Sequence, residues 1–163
     1  MSISNGPQTS AQSVNRREWM AVLARAPRER LKAGIDAALE GASAPAYVWL
    51  RAPEIGLAMV RGRIGGTGDA FNLGEVTVTR ATLRVTLADG GAAIGVAVQM
   101  GRDKERATLA ALADALLQSP LYAERLQTHL IAPLAAHIAH ERRRKQAEAA
   151  STKVEFFTMV RGA

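Results

Sequence analysis

Three arginines in the middle of the chain, Arg80, Arg84 and Arg102, have the chemistry and the spacing to bind an anion. Arg80 and Arg84 lie in an alternating apolar segment, so on a β-strand they would share one face, about 13 Å apart. Arg102 follows the next apolar segment and precedes Asp103, which could instead be its salt-bridge partner. Because guanidinium groups hold phosphate oxygens through charge-assisted hydrogen bonds, this set predicts a phosphate or phosphonate site. The alternative is solvated charge or a contact with another protein.

A glycine-rich turn precedes these arginines and consists of Gly65, Gly66, Thr67 and Gly68. Its glycines permit positive φ and leave amide N–H groups unshielded, which can form an anion-binding concavity. The Gly-Lys-Ser/Thr sequence of a Walker motif does not follow, so an ordinary flexible turn is the alternative. We count this turn with the arginines as a candidate phosphate-binding set.

Other kinds of active site find little support in the residue types. The chain contains no cysteine, which excludes disulfides, thiol catalysis and Cys-ligated metals. His129, His137 and His140 lack the i, i+4 spacing or the further carboxylate that a metal site would need. Since there is also no evident pair of nucleophile and base, we predict no catalytic residue and no metal ligand on this chain.

The net charge is a second reason to expect an anionic partner. The chain has 21 Lys and Arg residues against 15 Asp and Glu, a formal charge of +6. The basic run 142–145 raises the alternative of a nucleic-acid-binding module. Consecutive charges spread around a helix, however, and clustered aromatic residues for stacking on bases are missing. Nucleic-acid binding therefore ranks last among the functions considered.

Helices are predicted at both ends of the chain. Residues 1–14 are polar and are predicted to be a disordered tail. Asn15 begins one amphipathic helix and Pro27 the next, and the two would form a hairpin. Asp103 caps a later helix, and further helices follow it, with Pro133 starting the last one.

The middle of the chain is predicted to form strands. Ala46–Arg51 is one, and Gly56–Gly62 is apolar on both faces, as expected of an interior strand. The alternation in Glu75–Leu87 changes phase, which predicts a bulge near Thr79–Ala81. The fold class is therefore α+β, with residues 15–150 as a single domain: an N-terminal helical pair, a mainly antiparallel sheet of about four or five strands, and C-terminal helices.

A two-residue turn at Asp89-Gly90 would set the register of the next hairpin. On the face opposite the core, this register places small residues beside Arg80 and Arg84 and so gives both arginines room. The predicted pairs are Val85 with Ile94, Leu83 with Val96 and Ala81 with Val98 on the buried face, and Arg84 with Gly95, Thr82 with Ala97 and Arg80 with Gln99 on the other.

The chain ends in an apolar segment, residues 151–163, that is either an interior strand or a docking element. We favour docking, on this chain or on a partner, and assign the segment to partner docking. A terminal run that is apolar on both faces would be a liability if it stayed bare. The residues expected to make this contact are Val154, Phe156, Phe157, Met159, Val160 and Arg161.

The first residues of the chain lack the apolar core of a secretory signal. No stretch is apolar for the roughly 20 residues that a bilayer span needs. We therefore expect a soluble cytoplasmic protein with no membrane contact.

Several short segments, taken in order, are similar to those of a known family. They are Trp19–Ala24, Gly65–Gly68, Thr77–Ala81, Gln99–Lys104, Leu130–Leu134 and Val154–Gly162. From about Arg17 to Gly162 the chain resembles the G subunit of the bacterial carbon-phosphorus lyase core complex. Two departures are mild: Ile64 stands where a methionine is expected, and Val96-Ala97-Val98 replaces a more aromatic strand.

The resemblance implies a subunit of a multi-subunit transferase in phosphonate catabolism and phosphorus assimilation. The family acts with H, I and J subunits and an ATPase-like L subunit to displace adenine from ATP with an alkylphosphonate. The product is α-D-ribose 1-alkylphosphonate 5-triphosphate. The resemblance associates the nucleosidase activity with the I subunit and the radical chemistry with the J subunit, and it carries no catalytic residue over to this chain.

The resemblance also bears on partners and cofactors. It implies a hetero-oligomer with H, I and J in which the I subunit is the direct contact, while the isolated chain could form a homodimer. The complex uses ATP, but no cofactor is expected on this subunit. We therefore expect a non-catalytic or substrate-positioning subunit that is inactive alone. The alternative is a basic module that binds nucleic acid or a phosphate ligand.

Overall fold

Three antiparallel strands and five α-helices make up the described part of the chain, residues 8–88 and 90–151 of a computed structural model. For residues 8–15 and Gly65 only the course of the backbone is described. In chain order the elements are α1 (Gln8–Leu23), α2 (Arg28–Ala38), β1 (Tyr47–Gly62), β2 (Phe71–Thr86), β3 (Ala92–Met100), α3 (Lys104–Leu117), α4 (Pro120–Leu126) and α5 (Ala132–Ser151).

The sheet has the order β1-β2-β3 with antiparallel neighbours, which confirms the predicted α+β class. It has three strands in the described residues, fewer than predicted, because β1 joins the segments expected as two separate strands. Pro53 does not interrupt it, since β1 is an edge strand and the ladder is irregular between Arg51 and Glu54. The prediction that Gly56–Gly62 is an interior strand is therefore wrong.

The bulge predicted near Thr79–Ala81 lies at the right level of the sheet but in the facing strand. β2 pairs without a break with β3 through this stretch. In β1, two residues between Arg51 and Glu54 stand opposite Ala81 alone. The additional residue of the bulge therefore belongs to β1, where the nearby proline already prevents regular pairing.

The predicted register of the β2–β3 hairpin is wrong by one residue. Arg84 pairs with Ile94, Leu83 with Gly95 and Arg80 with Val98. The cause is the turn: the Leu87 N–H donates to the Gly91 oxygen at 2.9 Å, so three residues, not two, lie between the last bonded pair. Gly90 accordingly has a φ of 80°. Arg80 and Arg84 do share the face opposite the core, but they have large neighbours there rather than small ones.

The helices cover one face of the sheet, and small residues let them approach closely. α3 packs on β3 and β2, where Ala81, Leu83 and Val85 are buried as predicted. Gly95 faces α3 so closely that a Cβ there would overlap the carbonyl oxygen of Ala111. The observed register is therefore the one that places the smallest residue of β3 under the helix.

A buried carboxylate ties α1, α3 and the free edge of β3 together. Asp114 is fully buried and accepts hydrogen bonds from Arg16 Nη2 at 2.7 Å, from Trp19 Nε1 at 2.9 Å and from the Val96 N–H at 3.0 Å. Gln118 donates to the Ile94 oxygen at 2.8 Å beside it. The Val96 N–H and the Ile94 oxygen on the edge of β3 are thus bonded to side chains, which hinders the pairing of another strand there.

A second set of bonds closes the C-terminal end of α1. Arg106 Nε donates to the Ala26 oxygen at 2.7 Å and its Nη2 to the Ala24 oxygen at 3.0 Å. Buried Gln99 donates to the Leu23 oxygen at 3.0 Å. These bonds satisfy carbonyls that a helix end leaves without partners.

The predicted helices are present, but their arrangement differs from the prediction. The helix expected from Asn15 belongs to α1, which starts at Gln8 and so includes part of the segment expected to be disordered. α1 and α2 pack mainly on α3 and the C-terminal helices rather than on each other as a hairpin. Asp103 caps α3 as predicted and accepts a bond from the Arg106 N–H at 2.9 Å.

The last helix, α5, begins at Ala132, one residue before Pro133, but no break precedes it. A π-helical turn, Gln127–Ile131, joins α4 directly to α5. A proline removes one backbone N–H from the helix ladder, and the wider turn before it accommodates the loss. No helix within residues 8–88 and 90–151 combines the length and the apolarity needed to cross a membrane.

Candidate functional site

The second half of β1 and the first half of β2 form a two-stranded arm, defined here as residues 55–77. The body is the rest of the described chain. Burial changes along β2 at this boundary: Val78 and Thr79 are buried, whereas residues 71–75 are exposed. Within the described residues, the helices therefore cover the inner face of β2 in the body and leave the arm bare.

Large apolar side chains are exposed along the arm. On the face that continues the helix-covered side, Leu57 is 57% exposed and Met59 is 52% exposed. Toward the tip, Ile64 is 77% exposed, Leu73 is 62% exposed and Phe71 is exposed. Ile55, at the base of the arm, is exposed as well. A two-stranded hairpin is marginally stable in water by itself, and clustered exposed apolar residues are typical of an interaction site.

The outer face of the sheet in the body is also uncovered. Val48, Ile94, Val98 and Met100 are exposed there. They stand around Arg80 and Arg84, since Arg84 pairs with Val48 on one side and Ile94 on the other. Two of the candidate arginines thus lie among exposed apolar side chains on the outer face, on the side of the sheet opposite to Leu57 and Met59.

Arg80 already has a carboxylate neighbour. Its Nε lies 3.8 Å from Glu54 Oε1, which also lies 3.3 Å from Arg51 Nη1. Its guanidinium lies across Gly56, where a Cβ would come within 2.9 Å of Nη2. Arg84 is exposed further along the same face, and Arg102 is exposed in the connection to α3.

The glycine turn lies at the tip of the arm, away from the arginines. Arg80 lies nine residue steps along β2 from Phe71, about 30 Å at ~3.3 Å per residue. The structure therefore does not bring the turn and Arg80 or Arg84 together within one chain. The turn also uses its own amides: the Gly68 and Thr67 N–H groups donate to the Ile64 oxygen at 3.3 Å and 3.4 Å. Arg63 Nη1 donates to the Gly68 oxygen at 2.9 Å.

The predicted docking residues Val154, Phe156, Phe157, Met159, Val160 and Arg161 lie outside the described residues. Sequence reasoning missed the arm, because an apolar pattern on both faces was taken to indicate a buried interior strand. Because Pro45 and Pro53 flank the first apolar run, the sequence predicts two short strands in place of β1. The signal that could have found the arm is the long, nearly matched pair of apolar runs on either side of the glycine turn.

The described residues hold no cluster of three or more His, Asp or Glu side chains that could bind a metal ion. His129 lies in the π-helical turn, and His137 and His140 lie in α5. What the arrangement offers most clearly is contact surface: the arm, and beside it the bare outer face of the sheet.

Comparison with known proteins agrees with the resemblance found in the sequence. The family model described as "Phosphonate metabolism protein PhnG" matches residues 14–162. A relative from Rhizobium meliloti (strain 1021), named "Alpha-D-ribose 1-methylphosphonate 5-triphosphate synthase subunit PhnG", is 47% identical over 147 residues, which cover 90% of this chain and 89% of that protein. The chain therefore belongs to the PhnG family of phosphonate metabolism proteins.

Proposed function

We propose that this chain is a non-catalytic, positioning subunit of an enzyme that makes α-D-ribose 1-alkylphosphonate 5-triphosphate. The name of the Rhizobium relative supports a place in such a synthase. In the proposed reaction an alkylphosphonate displaces adenine from ATP, and the groups that act on ATP belong to other subunits. This subunit binds no cofactor of its own and works in the cytoplasm.

The observation that carries the proposal is the bare arm. Leu57, Met59, Phe71 and Leu73 are exposed in the described part of the chain, and a partner chain that covered them would remove them from water. The partners that the family resemblance implies are the H, I and J subunits, with the I subunit in direct contact. The arm is the surface that we assign to this contact, with the C-terminal docking segment as a second one.

The test compares two exposed leucines. Leu57→Glu places a charge in the arm, and Leu121→Glu places one on α4, at a residue with nearly the same exposure, 59% against 57%. Because neither side chain is buried in the isolated chain, both variants should unfold within about 0.5 kcal/mol of the wild type. In titration calorimetry with the I subunit, Leu57→Glu should weaken binding about 30-fold, as for an interface hot spot, and Leu121→Glu should not.

Two results would contradict the proposal. Equal affinity of the Leu57→Glu variant and the wild type for the I subunit would remove the arm from the interface. Release of adenine from ATP by the purified chain alone would show that the subunit is catalytic. Deleting residues 153–163 without any loss of affinity would contradict only the role of the C-terminal segment.

A further inference from the structure

A groove of about 730 Å³ lies between α5 and the connection from α1 to α2, on the helical side of the molecule. It belongs to neither the arm nor the outer face of the sheet. Its volume is in the range of small-molecule sites, about 300–1,000 Å³. Pro27 and Ile138 contribute apolar lining, and three cationic side chains belong to the polar lining.

The charge in the groove is unbalanced. Arg25 contributes from the end of α1, and Arg142 and Lys145 contribute from one side of α5, together with His137. The carboxylate in the lining is Glu141, which accepts a hydrogen bond from Arg144 Nη2 at 2.9 Å. Three permanent cations therefore face one carboxylate that already has its own partner.

The groove cations have few partners among the described residues. Among the described residues, the Arg25 side chain donates only to the Ala21 oxygen of α1, at 3.4 Å. The side chains of Arg142 and Lys145 form neither a hydrogen bond nor an ion pair with those residues. Arg144, from the same basic run, is by contrast bound to Glu141. Within the run, Arg144 is thus paired inside the helix, whereas Arg142 and Lys145 face the groove.

We propose that this groove binds the triphosphate group of a small molecule. Cations of like charge held around one cavity repel each other, and a multiply charged anion between them relieves that repulsion and accepts their hydrogen bonds. Arg25 reaches the ligand from one wall of the groove, and Arg142 and Lys145 reach it from the other. The choice of triphosphate among polyanions rests on the proposed function, since both ATP and the proposed product carry that group.

The experiment uses the full isolated chain and inorganic tripolyphosphate, followed by ATP, in titration calorimetry at low ionic strength. Arg142→Glu changes a groove residue, and the neighbouring Arg143→Glu makes the same charge change at a residue outside the lining. Both residues are exposed, so both variants should fold. We expect tripolyphosphate to bind the wild type, Arg142→Glu to weaken binding about tenfold, and Arg143→Glu to change it less than twofold.

Three outcomes overturn the proposal. Absence of tripolyphosphate binding to the wild type is the first. Equal losses for Arg142→Glu and Arg143→Glu, which would indicate diffuse attraction by net charge, are the second. The third is normal tripolyphosphate binding by Arg142→Glu together with weaker binding to the other subunits, which would assign the groove to an acidic protein surface. Because the titration needs no partner subunit, it can fail while the arm interface still stands.

Discussion

The two halves of the β1–β2 hairpin have the same kind of sequence but different surroundings. Both halves alternate or run apolar, yet α3 buries the inner face of β2 in the body, while the arm half exposes Leu57, Met59 and Leu73. The difference lies in what faces each half, not in the strands themselves. A strand pattern therefore tells us that a surface must be covered, and only the fold tells us whether the cover is part of the same chain.

Substitution of one glycine in the body and one in the arm gives the sharpest contrast. Gly95→Ala should destabilise the fold by about 3 kcal/mol, because its Cβ would overlap the Ala111 carbonyl and push α3 off the sheet. Gly68→Ala in the arm turn adds a Cβ at ordinary contact, 3.5 Å from the Ile64 oxygen, and should cost less than about 0.5 kcal/mol. Urea unfolding of both variants measures the difference. Similar losses would mean that the arm turn is as tightly constrained as the body.

Removal of the buried carboxylate tests what holds the body together. Asp114→Ala leaves Trp19 Nε1 and the Val96 N–H without their acceptor and should cost about 2–3 kcal/mol of unfolding free energy. The estimate allows for Arg16, whose side chain is partly exposed and can return to water. The matched control is the exposed pair Lys32–Asp36, where Asp36→Asn should cost only a small fraction of that. A loss below 1 kcal/mol for Asp114→Ala would show that packing alone fixes α1 and α3.

Two arginines on the outer face of the sheet, Arg80 near the boundary with the arm and Arg84 further into the body, test whether this face meets a ligand. If Arg80 and Arg84 hold triphosphate or phosphonate oxygens, the double substitution to alanine should raise KM in the reconstituted complex about tenfold. Stability of the isolated chain should hardly change, because Arg84 is exposed and the Arg80–Glu54 pair is long. Unchanged kinetics for both ATP and the phosphonate would remove these residues from the phosphate-binding set.

The smallest effect concerns the exposed pair on α2. Asp36 raises the pKa of Lys32 above 10.5, chiefly through the hydrogen bond from Nζ to Oδ2 at 2.7 Å. Because the folded pKa lies above the unfolded one, the pair stabilises the fold below the unfolded pKa, and this contribution disappears as the pH rises through the folded pKa. The stability difference between the wild type and Asp36→Asn should therefore vanish in strongly alkaline buffer. A difference that persisted there would point to helix propensity instead.

Local signals in the sequence predicted local features correctly. Asp103 caps α3, and Ala81, Leu83 and Val85 share the buried face, because a cap and an alternation are decided within a few residues. The register of β3 was wrong because one additional residue in a turn reverses which side chains face the core. Nothing local distinguishes a two-residue turn at Asp89-Gly90 from the longer turn that is present.

Long-range contacts account for the rest. Arg16 and Asp114 are 98 residues apart, and their ion pair is invisible until the fold is known. The groove likewise joins Arg25 to the basic run near the end of the chain, which the sequence alone could only interpret as solvated charge. For the candidate site, the sequence correctly placed Arg80 and Arg84 on one face. It could not predict their distance from the glycine turn, because that distance follows from the length of the arm. Whether any of them meets a phosphate stays a prediction.

The blocked edge of β3 limits how copies of this chain can associate. Asp114 and Gln118 bind the Val96 N–H and the Ile94 oxygen, two of the backbone groups that an incoming strand would need. Growth of a continuous sheet requires that every added molecule offer a fresh edge for the next one. A chain that is closed on one side ends such growth at the first addition, so its exposed arm can be kept ready for a partner without seeding fibrils.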